Sequence, residues 1–361
     1  MSSWSGLICV YLVLFQLLEG LRLALFGLGV VGRSLLRLAA QSRDMLLNRY
    51  GLGLRFVLAA DRSGAVYSPS GLNPETVLAK KEGGGIMSLE DVERSDNVMD
   101  FLEEVEADVL VDATPTNIVD GEPSYSIIRK AFLRGMDVVT VSKGALALYM
   151  PALKEQAANR GVYLMFSGTV GGGLPVLAFA RECSKADRVE AVEGILNGTT
   201  NYILTRMEED GLDFRQALAE AQRLGYAEAD PTLDIKGFDT ACKITILANE
   251  ILGKRATVHD VEVRGIDTVT LEEVNNAKKS GKVVRLVALA GKDVLEVSPK
   301  ALDHHDPLAV KMAMNAVRFR TAFSGNHVIT GKGAGGMETA TAIVRDLVAI
   351  KRMRTETVKP L

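Results

Sequence analysis

The stretch LRLALFGLGVVGRSLLRL, residues 21–38, decides the fold of this chain. Residues 21–26 form a short apolar run typical of a buried strand, and apolar residues recur at helical spacing after Arg33. The Gly-x-Gly-x-x-Gly turn between them permits a tight turn, close approach of the backbone to a pyrophosphate, and close packing of helix on strand. The pattern predicts a dinucleotide-binding turn, with a glycine turn that binds no ligand as the alternative. The residues of this turn are Gly27, Leu28, Gly29, Val30, Val31 and Gly32.

A second apolar run, residues 54–60, ends at Asp61 and Arg62. An acidic residue at that strand end commonly binds the ribose hydroxyls of NAD, whereas a neighbouring arginine accommodates the 2′-phosphate of NADP. Because both residue types are present, the expected cofactor is NADP or NAD. Lys80 and Lys81 slightly favour NADP binding. The alternative is that they are only a solvated charge pair.

Two further apolar runs, residues 107–111 and 137–141, are followed by polar turns that contain Thr114 and Lys143. The carboxyl ends of strands are where open α/β sheets bind ligands, so both side chains are candidate cofactor contacts. The alternation of strand and helix patterns predicts an α/β fold with a Rossmann-type doubly wound parallel sheet. A later glycine-rich turn, which includes Gly335, opens a helix and is interpreted as a second backbone approach to the cofactor.

Strand patterns beyond residue 187 predict a second domain of the α+β type. These patterns are residues 188–195, 283–290, 294–298, 317–323 and 326–330. The expected organisation is an apolar N-terminal extension at 1–20, a dinucleotide-binding domain at 21–153, a second domain at 154–330, and a C-terminal helix at 331–361 that returns to the first domain.

Composition excludes several classes of function. Lys and Arg number 42 against 45 Asp and Glu, a net charge of −3, which argues against a nucleic-acid partner. The apolar run at residues 7–18 is shorter than the ~20 residues that cross a bilayer, so we expect no membrane partner and a cytoplasmic location, with a membrane anchor or an unusual signal as the alternative. Three widely separated cysteines with no Cys-x-x-Cys spacing predict neither a disulfide framework nor a structural zinc site.

The densest polar stretch is residues 225–243, in which Asp239 and Lys243 stand four residues apart. The helix that carries them continues as Ile244, Ile246 and Leu247, which is too apolar for a solvent-facing element. A half-buried lysine beside carboxylates can be held in place and used for proton transfer, whereas the alternative is an exposed ion pair. Cys242 is interpreted as a buried thiol rather than a nucleophile, because no histidine stands near it in the sequence.

Taken in order from about Leu21 to about Lys351, the motifs resemble those of homoserine dehydrogenase. They are the glycine turn at 27–32, Asp-Arg-Ser at 61–63, Ser-Lys-Gly at 142–144, Thr-Val-Gly-Gly-Gly-Leu-Pro at 169–175, Asn-Gly-Thr-Thr-Asn-Tyr at 197–202 and the polar stretch 225–243. The family interconverts L-aspartate 4-semialdehyde and L-homoserine with NAD(H) or NADP(H), on the way to threonine and methionine. The resemblance implies the same activity on a small-molecule substrate.

The resemblance also implies roles for individual residues. Lys243 matches the catalytic lysine of the family, and Glu228 and Asp239 match its homoserine-binding carboxylates, with Asp234 as a weaker candidate. Gly198 and Thr199 lie in the donor-rich turn of a matching motif and are assigned to the substrate. Gly225 matches a position that contributes a backbone carbonyl, here assigned to the cofactor site.

Two further implications concern a metal and assembly. The carbonyls of Val170, Gly172 and Leu174 match positions that hold a sodium ion, but Ser167 stands where many members have the glutamate that is the only charged ligand. The family also implies that residues 154–330 are a substrate-binding and dimerisation domain, with a sheet through which two chains form a homodimer. An unpaired edge strand with an apolar face has to be covered by another chain. The residues expected to form such a strand are Val283, Val284, Leu286 and Val287.

Two other functions are compatible with parts of the pattern. A phosphorylating semialdehyde dehydrogenase would have a similar build but needs a reactive cysteine paired with a histidine. A catalytically silent dinucleotide-binding regulator would retain residues 27–32 but has no need for Lys243 within its acidic stretch.

Overall fold

The computed structural model describes residues 20–357, and the strands within them form one sheet of seven strands and one of six. The apolar segment at residues 7–18 lies outside the described residues. The first sheet has the spatial order β4-β3-β2-β1-β5-β6-β7. Its strands are β1 (Leu21–Phe26), β2 (Leu54–Asp61), β3 (Gly64–Leu72), β4 (Glu93–Ser95), β5 (Val109–Asp112), β6 (Asp137–Thr140) and β7 (Leu164–Met165).

The predicted Rossmann-type sheet is confirmed. β1 pairs in parallel with β2 on one side and with β5 on the other, and β6 pairs in parallel with β5 and β7. The strand order therefore reverses between β1 and β5, and the turns after these two strands open a crevice at the carboxyl edge of the sheet. This switch point is where open α/β sheets bind their ligands.

Strands β3 and β4 extend this sheet in the antiparallel direction and were not predicted. The segment of β3 carries Pro69 and the glycines Gly64 and Gly71, which are unusual inside a strand. The pairing with β2 passes from Leu58 opposite Tyr67 to Phe56 opposite Leu72, so Pro69 lies in a bulge. A bulge removes the need for a backbone donor at the proline, which explains why the sequence pattern conceals this strand.

Helices cover both faces of the first sheet. The helices within residues 20–357 are α1 (Val30–Gln41), α2 (Arg43–Tyr50), α3 (Pro74–Glu82), α4 (Phe101–Glu104), α5 (Ser124–Leu133), α6 (Gly144–Arg160), α7 (Val176–Cys183), α8 (Gly198–Asp210), α9 (Phe214–Arg223), α10 (Thr232–Ile235), α11 (Phe238–Ile251), α12 (Leu271–Lys279) and α13 (Gly336–Thr357). Along β1, Leu23 and Leu25 face the core with α1 and α13, whereas Ala24 and Phe26 face the core with α5 and α6. This alternation follows from the two-residue period of a strand.

The second sheet has the order β13-β12-β8-β10-β11-β9 and forms the predicted α+β unit. Its strands are β8 (Val189–Ile195), β9 (Glu262–Val263), β10 (Lys282–Ala290), β11 (Leu295–Asp303), β12 (Met314–Thr321) and β13 (Asn326–Lys332). The expectation that residues 283–287 form an unpaired edge strand is wrong, because β10 is an inner strand that pairs with β11 along its whole length and with β8 at residues 288–290. Its side chains Val283, Val284, Leu286 and Val287 are already buried within one chain.

Helix α13 returns to the first sheet and packs against α1. Its buried residues Ala340, Ile343, Leu347 and Ile350 recur at helical spacing and join the same core as β1. A Cβ atom on Gly336 would lie 2.6 Å from the Ser34 hydroxyl oxygen, so the two helices approach closely at their N-terminal ends. The glycine turn before α13 therefore stands beside the turn that opens α1.

Candidate active site

The glycine turn after β1 has the geometry that a dinucleotide requires. A Cβ atom on Gly27 would lie 2.3 Å from the Ala113 carbonyl oxygen, and one on Gly32 would lie 1.9 Å from the Gly27 carbonyl oxygen. Both positions therefore exclude any side chain. A Cβ atom on Gly29 would meet nothing within 4 Å, so the middle glycine borders open space at the N-terminus of α1. A pyrophosphate fits this arrangement, because the backbone N–H groups at a helix N-terminus attract anions.

Asp112, at the end of β5, organises the facing side of the crevice and was missed by the sequence analysis. Its buried carboxylate accepts hydrogen bonds from the backbone N–H and hydroxyl of Thr114, at 3.0 and 2.6 Å. It also accepts from the hydroxyls of Ser124 and Thr140. These four bonds hold the turn that carries Thr114, a predicted cofactor contact.

Lys143 comes from the same side of the crevice. Helix α6 begins at Gly144, and Lys143 is its N-cap residue. The backbone N–H of Lys143 donates to the Thr116 hydroxyl at 3.2 Å. A Cβ atom on Gly144 would lie 1.9 Å from the Asn117 carbonyl oxygen, so this turn is packed tightly on the turn after β5.

The end of β2 places a lysine on the predicted ribose-binding residue. Lys81 forms an ion pair with Asp61, whose other carboxylate oxygen accepts from the Ser63 backbone N–H at 2.8 Å. Burial raises the pKa of Asp61, but the hydrogen bonds from Lys81 and Ser63 outweigh it and leave that pKa below its usual value. Arg62 is exposed beside this pair. The strand end therefore carries net positive charge, rather than the bare carboxylate that would favour NAD.

The second domain brings Lys243 and Asp239 together on the buried face of α11. The Lys243 ammonium lies 2.6 Å from one Asp239 oxygen and donates to the Leu196 carbonyl oxygen at 2.7 Å. The Lys143 ammonium lies 3.5 Å from the other Asp239 oxygen, so the pair bridges to the cofactor side of the crevice. Burial raises the pKa of Asp239, but the two ammonium groups outweigh it and hold the pKa below its usual range.

Asn197 connects this cluster to the second carboxylate and was not identified from the sequence as a site residue. Its side-chain NH₂ donates to Asp234 at 2.6 Å and to Asp239 at 2.9 Å. Its side-chain oxygen accepts from the Thr200 backbone N–H at 2.9 Å and caps α8. Burial, together with the nearby Asp239 carboxylate, raises the pKa of Asp234. The Asn197 amide therefore orients the carboxylates of Asp234 and Asp239, which explains the asparagine at the start of the Asn-Gly-Thr-Thr turn.

Other predicted site residues lie around this cluster. The Thr199 hydroxyl donates to the Tyr226 carbonyl oxygen at 2.6 Å, which ties α8 to the polar stretch 225–243. Gly225 follows α9 with a left-handed φ of +78°, a conformation that favours glycine. Glu228 is exposed, and its carboxylate makes no hydrogen bond or ion pair with the residues that the structure describes. The geometry therefore joins Lys243, Asp239, Asp234 and Asn197 but leaves Glu228 outside the bonded cluster.

Cys242 is fully buried beside Lys243. Burial and the Asp239 carboxylate raise the pKa of its thiol to about 12. A thiol with that pKa stays protonated near neutral pH and is a poor nucleophile. A phosphorylating semialdehyde dehydrogenase needs a reactive thiolate, and the environment of Cys242 disfavours one.

The donor set at residues 167–174 does not fit the sodium ion implied by the family pattern. Ser167 donates its backbone N–H and its hydroxyl to the buried carboxylate of Asp346, at 2.8 and 2.6 Å. The Leu174 carbonyl oxygen accepts from the Val176 backbone N–H at 2.9 Å. The loop thus offers neutral carbonyls without an anionic ligand of its own, whereas hard cations in proteins favour carboxylate oxygens.

Within residues 20–357, no three His, Cys, Asp or Glu side chains converge as metal ligands would. Over the same range, no helix combines the length and apolar character needed to cross a membrane.

Comparison with known proteins matches both halves of the chain. A family model described as homoserine dehydrogenase matches residues 175–348, and one described as homoserine dehydrogenase, NAD binding domain, matches residues 27–167. The homoserine dehydrogenase of Methanocaldococcus jannaschii is 39% identical over 325 residues, which cover 90% of this chain and 96% of that protein. The NAD(+)-dependent homoserine dehydrogenase of Pseudomonas canavaninivorans is 36% identical over 350 residues, which cover 92% and 97%.

Solved structures of homoserine dehydrogenases are also similar to this chain. A homoserine dehydrogenase from Thiobacillus denitrificans superposes with a TM-score of 0.82 at 33% identity, over 95% of this chain and 76% of that one. A hyperthermophilic archaeal homoserine dehydrogenase in complex with NADPH superposes with a TM-score of 0.81 at 28% identity, over 93% of this chain and 98% of that one.

Proposed function

This chain belongs to the homoserine dehydrogenase family and is an NAD(P)-dependent oxidoreductase of that activity, and we propose that Lys243 carries the proton of its reaction. The observation that carries the proposal is the position of the Lys243 ammonium, which is buried and held by Asp239 and the Leu196 carbonyl. Two of its three donors are thereby used, and the third is left for the substrate oxygen. A lysine fixed in this way can exchange one proton with a bound alcohol or aldehyde.

The carboxylates around Lys243 match the charge of the substrate. Homoserine and aspartate semialdehyde carry an α-ammonium group, which requires an anionic partner in a partly buried site. Asp234 lies at the cluster with one oxygen bonded to Asn197, and Glu228 is exposed in the same polar stretch. We assign the ammonium to Asp234 and Glu228, and the substrate carboxylate to the backbone N–H groups of Gly198 and Thr199 at the start of α8.

Asp239 is assigned a positioning role in addition to the binding role that the family implies. It contacts the ammonium groups of Lys243 and Lys143, which come from the two sides of the crevice. The nicotinamide of NAD(P), when bound, exchanges a hydride with carbon 4 of the substrate. Thr114 and Lys143 lie on the sheet side of the crevice and would hold the cofactor there, opposite Lys243.

The experiment that tests this function is turnover of homoserine with NAD and with NADP separately, followed by the absorbance of the reduced nicotinamide. Production of reduced cofactor that depends on homoserine supports the assignment. Binding of either cofactor without turnover would instead favour the silent dinucleotide-binding regulator. The cytoplasmic location expected from the sequence stays a prediction.

The cofactor preference rests on the positive charge at the end of β2. Because Lys81 neutralises Asp61 and Arg62 is exposed beside it, we propose that this strand end accepts a 2′-phosphate. Arg62→Ala should weaken NADP(H) binding by about ten-fold, as expected for one lost charge-assisted contact, while NAD(H) affinity changes little. Titration of each cofactor by protein fluorescence or calorimetry measures both constants. If both affinities stay unchanged, Arg62 does not face the ribose.

We propose that the protein forms a homodimer through the second sheet. Support comes from the family resemblance and from β13, whose outer edge pairs with no other strand among residues 20–357. An uncovered edge is a template for pairing, and a two-fold axis would pair the same strand from each chain. Light scattering should give about twice the chain mass of 38.9 kDa. An active sample at the mass of one chain would contradict the proposal.

A further inference from the structure

Arg345 of helix α13 reaches the loop that the family pattern assigns to sodium. Its guanidinium donates from Nη2 to the Gly173 carbonyl oxygen at 2.8 Å. Its Nη1 is buried and has no hydrogen-bond partner among residues 20–357, so the group faces the protein rather than solvent. The positive charge therefore lies directly on the carbonyl that sits between the two expected ligands Gly172 and Leu174.

The adjacent residue of α13 supplies the negative charge. Asp346 is 2% exposed, and its two oxygens accept the hydroxyl and the backbone N–H of Ser167. Ser167 stands where the family pattern has the charged ligand, and the carboxylate that it binds comes from helix α13. One end of the loop is thus held by Asp346 and the other by Arg345.

Loop 167–174 packs against two turns of the proposed cofactor site, the turn that carries Lys143 and the glycine turn before α13. A Cβ atom on Gly168 would lie 2.7 Å from the Val141 side chain, two residues before Lys143. A Cβ atom on Gly172 would lie 2.7 Å from the carbonyl oxygen of Gly333, in the glycine turn that opens α13. A displacement of the loop would therefore be transmitted to the Lys143 turn and to the α13 N-terminus.

The Gly173 carbonyl that binds Arg345 lies in the chain between Gly172 and Leu174, so a sodium ion on those carbonyls would share the loop with the guanidinium. Like charges that share a partly buried setting repel, because solvent screens them poorly. The loop can hold one of these cations, and its Gly173 carbonyl already binds the guanidinium.

We propose that Arg345 is a positioning residue that takes the place of the sodium ion and makes this enzyme independent of monovalent cations. Arg345 and Asp346 hold the two ends of loop 167–174 and thereby fix the two cofactor turns. The proposal rests on the cofactor site assigned above.

The first test compares the wild-type protein in NaCl, KCl and choline chloride at equal ionic strength. We expect the same melting temperature, the same KM for NADP and the same kcat in all three salts. A melting temperature that rises selectively with sodium, or saturable broadening of the ²³Na resonance, would overturn the proposal. Turnover in choline chloride distinguishes this outcome from a failure of the proposed function. A protein that is inactive in every salt would contradict the proposed function instead.

The second test removes the guanidinium. Arg345→Ala should raise the KM for the cofactor about ten-fold, the loss expected for one charge-assisted hydrogen bond, and leave kcat nearly unchanged. Millimolar guanidinium chloride should restore the KM, whereas NaCl and urea at matched concentration should not. Arg352→Ala removes a guanidinium that stacks on Tyr50 elsewhere on the same helix, and is expected to leave the KM unchanged. An unaltered KM in Arg345→Ala, or a rise that guanidinium does not reverse, would overturn the proposal.

Discussion

Replacing Lys243 with alanine is expected to lower kcat for homoserine oxidation by about 10²–10⁴, the range typical of losing a positioned acid or base. The Lys243 ammonium is held at 2.6 Å from Asp239 and 2.7 Å from the Leu196 carbonyl oxygen, and alanine removes the proton donor from that position. Cofactor affinity should stay nearly intact, because Lys243 lies on α11 rather than on the glycine turns. Steady-state kinetics and cofactor titration measure the two effects separately.

Two comparisons make this result specific. Lys243→Arg keeps a positive charge but should not restore turnover, because a guanidinium does not release its proton near neutral pH. Lys236→Ala removes an exposed lysine a short distance before Lys243 in the chain and should leave kcat unchanged. A Lys243→Ala protein that keeps most of its activity would remove this residue from the mechanism.

The parts of the molecule that could be predicted from the sequence are those fixed by local patterns. The turn at 27–32 has glycines wherever the backbone must approach closely, so its role can be predicted before any contact is known. Asp239 and Lys243 are four residues apart, and helical spacing alone places them together. The same reasoning located the strands of the parallel sheet, whose apolar runs are short and bounded by polar turns.

Contacts between distant segments could not be predicted in this way. Asn197 reaches Asp234 and Asp239 across about forty residues, and nothing in its local pattern distinguishes it from an ordinary helix cap. Arg345 meets Gly173 across 172 positions. These contacts depend on how segments pack within the second domain and on how the last helix packs against loop 167–174, which local periodicity does not encode.

The unpaired edge assigned to residues 283–287 failed for a related reason. Alternating apolar residues show that a strand has a buried face, but they do not show which strands flank it. The neighbours of β10 come from β8 and β11, and β8 is separated from it by more than eighty residues of helices and turns. Strand order depends on the topology, so the edge strands of a sheet can be predicted only once that order is known.

Replacing Asp239 with asparagine should impair both stability and turnover, because it leaves two ammonium groups without their anionic partner. Lys243 and Lys143 are largely buried, with side chains 10% and 22% exposed, and removal of one partner from a buried ion pair costs about 3 kcal/mol. The asparagine amide can still occupy the space but cannot orient Lys243, so we expect kcat to fall by about 10²-fold as the proton donor loses its alignment. Chemical denaturation and steady-state kinetics give the two quantities.

The pH dependence of stability distinguishes this charge effect from a packing defect. The folded-state pKa of Asp239 lies below its unfolded value, so its contribution is complete above a pH of about 4 and is lost as the pH falls toward the folded value. The difference in unfolding free energy between wild type and Asp239→Asn should therefore be constant near neutral pH and shrink in acid. Glu228→Gln is the matched control: this carboxylate is exposed, so its loss should raise the KM for homoserine without lowering stability. Equal stability of Asp239→Asn and wild type at neutral pH would show that the two lysines do not depend on Asp239.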